Sequence, residues 1–279
     1  MVMNGEVERE FRFSIREFDF LRRVAHRSTG IQIPDEKFNM LYSRLSRRVR
    51  KLGLPDFQTY CDLVRSDANE VLHLVNAITT NLTSFFRENH HFELLARRIL
   101  PSLAAASAGP LRIWSAGCST GEEPYSIAMT LLESLPAFRL ASGTILATDI
   151  DSNVLASAAT GVYAADSVRH LDPERLRRWF LRGKGAHGGA VRVKPEVRRL
   201  VDFGRLNLME PWDVGPPMDL IFCRNVIIYF SKVDKARLVN QFADQLRPGG
   251  HLFIGHSESL FRVSDRYELL GHTLYRKRY

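Results

Sequence analysis

The run Leu111-Arg112-Ile113-Trp114 reads as a strand, and the turn Ala116-Gly117-Cys118-Ser119-Thr120-Gly121 joins it to helical spacing from Glu122 to Leu135. Glycines in such a turn let a ligand approach the backbone, and in an alternating sheet the ligand lies beyond the carboxyl ends of the strands. The spacing here is Gly117-x3-Gly121 rather than GxGxxG, and Glu122 and Glu123 follow at once. Acids at a helix start suit the helix dipole but repel a pyrophosphate. That disfavours NAD and a dehydrogenase, and it favours a ligand with a cationic amino-acid part. Asp149 ends a second strand-like run from Thr144, where a carboxylate accepts hydrogen bonds from ribose hydroxyls; capping of the next helix is the alternative use for it. Together the turn and the carboxylate point to an adenosine ligand with a positive tail, a description that S-adenosylmethionine fits.

The elements that must hold these residues alternate from residue 110 onward. A third strand, Met218 to Cys223, ends in Arg224-Asn225. A helix from Lys232 to Leu246 closes at Arg247-Pro248-Gly249-Gly250, and a strand His251 to Ile254 follows. Pro124 sits in the first turn of the Glu122 helix, where its missing N–H costs nothing. This alternation predicts a mostly parallel sheet covered on both faces. Ser167 to Arg205 interrupts it with eleven basic and four acidic residues and a turn Gly183 to Gly189 ahead of Val191-Arg192-Val193-Lys194, the pattern of a short inserted hairpin or small sheet. Ala104 to Gly109 reads as a flexible connection.

Residues 1–80 read as helical. Phe11, Ile15, Phe18 and Leu21 or Arg22 follow a 3–4 spacing, and Asp56 caps a helix carrying Phe57, Tyr60, Cys61 and Val64. Lys37 to Lys51 holds six basic residues and no acid. On a helical wheel Phe38, Leu41, Leu45, Val49 and Leu52 form an apolar stripe, while Arg44, Arg47, Arg48 and Lys51 share another face and Arg50 lies apart. Like charges at these spacings repel and have no acidic partner on their own helix. The face is therefore expected to bind an anionic partner, the alternative being a solvated face.

The chain has 279 residues, 45% hydrophobic and 25% charged, enough for about two domains with ordinary cores. Cys61, Cys118 and Cys223 are widely spaced with no CxxC pair, which argues against a disulfide framework or a zinc ribbon; no metal is expected. Met1 to Phe20 lacks a signal-peptide apolar core, and no apolar run approaches bilayer length, so a cytosolic protein without membrane insertion is expected. The net charge of +8 suggests an anionic partner.

Five blocks carry a resemblance: Thr80-Asn81-Leu82-Thr83-Ser84-Phe85-Phe86-Arg87-Glu88, Trp114 through Ser126, Ala147-Thr148-Asp149-Ile150-Asp151, Ile221 through Phe230, and Gly255-His256-Ser257-Glu258-Ser259. In family order and over nearly the whole chain, they resemble the signature blocks of the chemotaxis receptor methyltransferases, the CheR family. The resemblance implies an all-helical receptor-recognition domain over 1–80 and a linker and connecting helix over 81–109. A class I S-adenosylmethionine-dependent, Rossmann-like α/β methyltransferase domain would follow over 110–279, with a small antiparallel β insertion at about 163–205. It implies a cytoplasmic, monomeric protein-glutamate O-methyltransferase, recruited to receptor arrays, that methylates glutamates of chemoreceptors and releases S-adenosylhomocysteine.

Carried over by motif, Asn81, Thr83 and Arg87 would reach the cofactor, and Glu123, in preference to Glu122, would hold its polar groups. Asp149 would bind the ribose, Asn207 and Leu208 would flank the adenine, and Arg224 and Asn225 would close the methionine end. For Asn207 the competing use is a simple turn residue. Arg87 or Arg224 would orient the incoming glutamate, and Tyr229 would offer a hydroxyl near the methyl. The Arg44, Arg47, Arg48 and Lys51 face would dock on the acidic receptor bundle. The loop with Gly185 and Gly188 and the strand with Arg192 resemble the family subdomain that takes a receptor C-terminal pentapeptide by β-augmentation.

The chemistry agrees with this list. A glutamate is already a carboxylate at neutral pH, so no general base is needed, and no Ser/His/Asp or Cys/His constellation is present to supply one. Attack on a sulfonium methyl removes two opposite charges, so a water-poor site and in-line alignment do the work. A nucleic-acid methyltransferase would carry an Asn/Asp-Pro-Pro-aromatic turn after the fourth strand; here Cys223-Arg224-Asn225-Val226 stands there and Pro216-Pro217 precedes the strand. A non-catalytic cofactor-binding scaffold is the remaining alternative.

Overall fold

The computed structural model describes residues 9–106, 110–136, 140, 141 and 143–278. The chain divides into two compact units, the first ending at Thr80 and the second beginning at Asn81. Among the described residues no helix is long and apolar enough to cross a membrane.

Among its described residues the first unit holds four α-helices, α1 (Ile15–Thr29), α2 (Phe38–Lys51), α3 (Phe57–Ser66) and α4 (Ala68–Ile78), with a 3-10 turn (Asp35–Lys37) leading into α2. Local chemistry sets their ends. The Ser14 amide donates to Glu17 Oε2 (2.6 Å) while the Ser14 hydroxyl accepts from the Arg16 amide (3.2 Å), a reciprocal cap. Gly30, with φ of 72°, stops α1, and Asp56 accepts the Thr59 amide (2.8 Å) to start α3. Phe18, Leu21, Leu41, Leu45, Val49, Phe57 and Tyr60 fill the core, so the apolar stripe on α2 is real; Ile15, in contrast, is exposed.

The basic face of α2 differs from the sequence expectation. Arg44 reaches the carboxyl end of α4, where its Nη1 donates to the carbonyls of Ile78 (2.7 Å) and Thr79 (2.8 Å). A cation there offsets the orphan carbonyls and negative end of a helix. Arg48 forms a two-pronged pair with Glu70, Nε to Oε1 at 3.0 Å and Nη2 to Oε2 at 2.6 Å. Acidic and carbonyl partners are therefore built in, but they come from another helix. Of the four residues, Arg47 and Lys51 are exposed, while Arg44 and Arg48 are half-buried.

Among its described residues the second unit holds ten strands: β1 (Ile113–Ala116), β2 (Ile145–Asp149), β3 (Val162–Ala164), β4 (Phe180–Arg182), β5 (Ala190–Val193), β6 (Val201–Arg205), β7 (Met218–Cys223), β8 (Leu246–Ile254), β9 (Tyr267–Gly271) and β10 (Leu274–Lys277). Seven of them form one sheet in the order β6-β2-β1-β7-β8-β10-β9, parallel except for β10, which runs antiparallel to both neighbours. Sequence order reverses between β1 and β7, the position where ligands bind in open α/β sheets. Alternate residues serve opposite faces. Ile113 and Phe222 pack in one core with Tyr125 and Phe92, whereas Trp114 and Ile221 pack in the other with Leu238 and Phe242.

The covering helices are α5 (His90–Leu94), a π-helical turn (Leu95–Ile99) leading into α6 (Leu100–Ala106), α7 (Glu122–Ser134), α8 (Ser152–Thr160), α9 (Pro173–Trp179), α10 (Pro195–Arg198) and α11 (Lys232–Gln245). Of the expected flexible stretch Ala104 to Gly109, residues 104–106 close α6 and 107–109 lie outside the described residues.

The antiparallel insertion is a three-stranded sheet in the order β3-β5-β4. It begins at Val162 and its last strand ends at Val193. Residues 201–205, inside the expected insertion, pair instead with β2 as the edge of the large sheet (Ala147 opposite Phe203), because their alternation is also that of a covered edge strand. Arg192 lies on β5, the central strand, which pairs on both sides. It cannot receive an added strand; the free edges belong to β3 and β4.

Candidate active site

The site is built where β1, β2 and β7 end. Gly117 has φ of +85°, and a Cβ there would stand 2.5 Å from Val226 Cγ2 in the turn after β7. Gly121 has φ of +94° at the start of α7, where a Cβ would stand 2.9 Å from Ala158 Cβ on α8. Both positions therefore need glycine for conformation and for space. Between them the Ser119 amide donates to Asp149 Oδ2 (2.8 Å), and Asp149 Oδ1 accepts from the Asp151 amide (3.0 Å). The helix-capping use falls to Asp151, which accepts the Asn153 amide (2.9 Å) and starts α8. Asp149 is buried, and burial pushes its carboxyl above the usual range against the backbone amides that favour the charge.

Residues 81–88 fold onto this turn. Asn81 Nδ2 donates to Asp151 Oδ2 (3.0 Å), and the Asn81 carbonyl accepts from the Ser119 hydroxyl (3.1 Å). The Phe86 amide donates to the Ser126 hydroxyl on α7 (2.9 Å), with Phe86 and Glu88 both in the left-handed region (φ 54° and 55°). Arg87 donates to the Leu82 carbonyl (2.7 Å), which bends the segment back on itself; Thr83 is half-buried within that bend.

Arg224 is the hub. Its side chain is 2% exposed and bridges Glu123 (Nη1 to Oε2, 3.1 Å) and Glu88 (Nη2 to Oε2, 3.2 Å), and it also donates to the Arg87 carbonyl. Glu123 takes a further bond from the Ser115 hydroxyl (2.7 Å); burial pushes its carboxyl up, opposed by Arg224. Glu88 accepts from the His256 amide (3.1 Å) and His256 Nδ1 (2.8 Å). Burial alone would raise its carboxyl, but His256 and Arg224 outweigh burial and hold it down to about 2. Glu122 is buried too, with its carboxyl raised by burial and the Thr120 hydroxyl donating to it (2.6 Å).

Among the remaining expected residues, Asn225 stands in the left-handed region (φ 59°), and Tyr229 is half-buried four residues on. Asn207 makes a turn: its Oδ1 accepts the Met209 amide (3.0 Å) and its Nδ2 donates to Glu210 (2.9 Å). Leu208 is buried beside it in the Trp114 core. Gly185, Gly188 and Arg192 are exposed in the small subdomain, and Arg192 Nε donates to the Thr160 carbonyl (3.2 Å). Glu88, Asp151 and Glu258 organise the site yet carried no role in the sequence reading. The signal for each is an acid inside one of the blocks that carry the resemblance. Glu88, His90 and His91 bring three ligand atoms within 4.8 Å of one another, but the oxygens of Glu88 are engaged by Arg224 and His256. Cys61, Cys118 and Cys223 are all buried free thiols.

These residues fit S-adenosylmethionine. Asp149 has lone pairs beyond its amide bonds for ribose hydroxyls. Glu122, in the first turn of α7, adds a carboxylate that attracts a cationic group. Arg224 Nε is buried with no hydrogen-bond partner among the described residues, as expected where a polar ligand group belongs.

Comparison with known proteins agrees. Residues 81–276 match the CheR methyltransferase SAM-binding domain and residues 16–79 the CheR all-alpha domain. The chain is 44% identical over 263 residues to the chemotaxis protein methyltransferase of Escherichia coli, covering 92% of this chain and 89% of that protein. It is 44% identical over 267 residues to chemotaxis protein methyltransferase 2 of Pseudomonas aeruginosa, covering 95% and 94%. Among solved structures, the N-methyltransferase NodS from Bradyrhizobium japonicum matches 69% of this chain and 100% of that one at 12% identity and TM-score 0.37, too loosely to bear on function. The two matched domains account for both units of the molecule, and the chain belongs to the CheR family of S-adenosylmethionine-dependent chemotaxis protein methyltransferases.

Proposed function

We propose that the protein methylates glutamate carboxylates of chemoreceptors, giving the glutamate 5-O-methyl ester. The observation that carries this reading is a pair of arginines at the site: Arg224, buried between Glu88 and Glu123 and donating to the Arg87 carbonyl, and Arg87 itself, whose side chain spends one donor on Leu82 and which we place at the mouth where the substrate enters. The cofactor, when bound, supplies an electrophilic methyl group. Asp149, Asn207 and Leu208 hold its adenosine end; Glu123, Arg224 and Asn225 hold its methionine end; Asn81 and Thr83 close the segment over it. Arg87 has five donors and spends one on Leu82, so the rest remain for an incoming carboxylate. Arg224 is the weaker candidate for that task, because two carboxylates already neutralise it. Tyr229 contributes a hydroxyl at the same mouth. The substrate carboxylate is ionised at neutral pH, so the protein has to orient it and exclude water rather than remove a proton.

Receptor docking falls to Arg47 and Lys51, since Arg44 and Arg48 are engaged within the first unit. A receptor tail peptide would add to β3 or β4, where Val162 and Leu181 are exposed; a null titration with such peptides refutes that part. The activity is tested by incubating a receptor cytoplasmic fragment with methyl-labelled cofactor. Label on glutamate that is released by alkali as methanol supports carboxyl methylation; alkali-stable label, or none, refutes it.

A further inference from the structure

Glu258 is buried at 4% exposure beyond the end of β8, and its carboxylate gathers three backbone amides from two separate loops. Oε2 accepts from Gly255 (2.5 Å) and Asn225 (2.9 Å), and Oε1 accepts from Ile228 (3.2 Å). Asn225 needs such support, because a non-glycine residue at φ of 59° costs free energy unless its surroundings hold it. Gly255 leaves room for the arrangement: a Cβ there would stand 2.5 Å from Asn225 Nδ2 and 2.9 Å from Glu258 Oε2. Arg224 and Asn225 precede Ile228 and Tyr229 on one short turn, so a single carboxylate sets the position of all four. We infer that Glu258 is the positioning residue of the site: by receiving the amides of Gly255, Asn225 and Ile228 it pins the turn after β7, and so sets cofactor affinity without touching the cofactor. The inference rests on the reading of Arg224 and Asn225 as cofactor ligands.

In Glu258→Gln one oxygen becomes an amide donor that opposes one of the three amides. S-adenosylhomocysteine affinity is then expected to fall about tenfold, the scale of one hydrogen bond to a charged group. The cofactor KM is expected to rise by that factor and the receptor KM by clearly less, because Arg87, which takes the incoming carboxylate, lies on another segment; equal rises in both would indicate general loosening of the fold. Glu258→Asp, one methylene short, loses more. Affinity within twofold of wild type in Glu258→Gln, alongside lost binding in Asp149→Ala, overturns the inference; unchanged binding in both variants overturns the site reading instead. Should neither Glu258 variant fold, amide exchange in the cofactor-free wild type decides. Slow exchange at Gly255, Asn225 and Ile228 supports the role, and fast exchange overturns it.

Discussion

Removing the Arg48 side chain leaves the Glu70 carboxylate, 3% exposed, without the cation of the pair that joins α2 to α4. Loss of one member of a buried, two-pronged ion pair costs about 3–5 kcal/mol, mostly from the stranded charge. Arg48 is 18% exposed, so Arg48→Ala is expected at the low end, about 3 kcal/mol. Arg48→Met with Glu70→Met removes both charges and is expected to recover most of that loss. Reversal of exposed Arg47 and Lys51 to Glu is expected to change stability by less than about 0.5 kcal/mol while lowering receptor methylation and sparing cofactor affinity. Urea unfolding followed by far-UV circular dichroism reads the helices of both units, so a transition seen there and not in tryptophan fluorescence belongs to the first. Fluorescence of Trp114, Trp179 and Trp212, all in the second unit, reads that unit separately. An Arg48→Ala loss below about 1 kcal/mol, or an equal loss from Arg47 and Lys51 reversal, refutes the division of this face into structural and docking cations.

Acid stability follows from the Glu88 cluster. His91 is fully buried with its Nε2 on the His272 carbonyl (2.7 Å), and burial, followed by Arg224, pushes it down to about 4. The unfolded chain binds this proton first, so stability present above pH 6.5 is lost as pH falls toward 4, by up to about 1.4 kcal/mol per pH unit. Glu88 adds a second loss from about pH 4.5 toward 2. His91→Gln should flatten the upper window in urea titrations at stepped pH; an unchanged slope counts against it. Gly117→Ala forces a side chain at φ +85° and toward Val226; a loss of about 1–3 kcal/mol and of cofactor binding is expected, partly restored by Val226→Ala. Full restoration would show that space alone matters there. Arg224→Met strands Glu88 and Glu123 and is expected to destabilise the second unit by at least about 3 kcal/mol in Trp-monitored unfolding; a smaller loss contradicts the hub.

The parts of the site legible in the sequence are those whose chemistry is local. Gly117 and Gly121 announce a tight turn, and Asp149 ends a strand where a carboxylate either meets a ribose or caps the next helix; the structure gives the capping to Asp151. The strand–helix rhythm gives the parallel sheet for the same reason. What the sequence hides is pairing across distance. Arg48 finds Glu70 and Arg44 finds the end of α4, each some 20 to 35 residues away, so a helical wheel shows the cations without their partners. Residues 201–205 alternate like a hairpin strand, and only the register with β2 assigns them to the large sheet. Glu88 and Glu258 read as ordinary acids until Arg224, His256 and three backbone amides converge on them.

We propose that S-adenosylmethionine binds where β1, β2 and β7 end, held there by Asp149. Calorimetric titration of S-adenosylmethionine and S-adenosylhomocysteine into the wild type and Asp149→Ala tests it most directly. The account predicts saturable one-to-one binding of both ligands to the wild type and its loss in a variant that keeps the wild-type far-UV spectrum. Wild-type affinity in a folded Asp149→Ala protein, or no binding to the wild type at all, would contradict it.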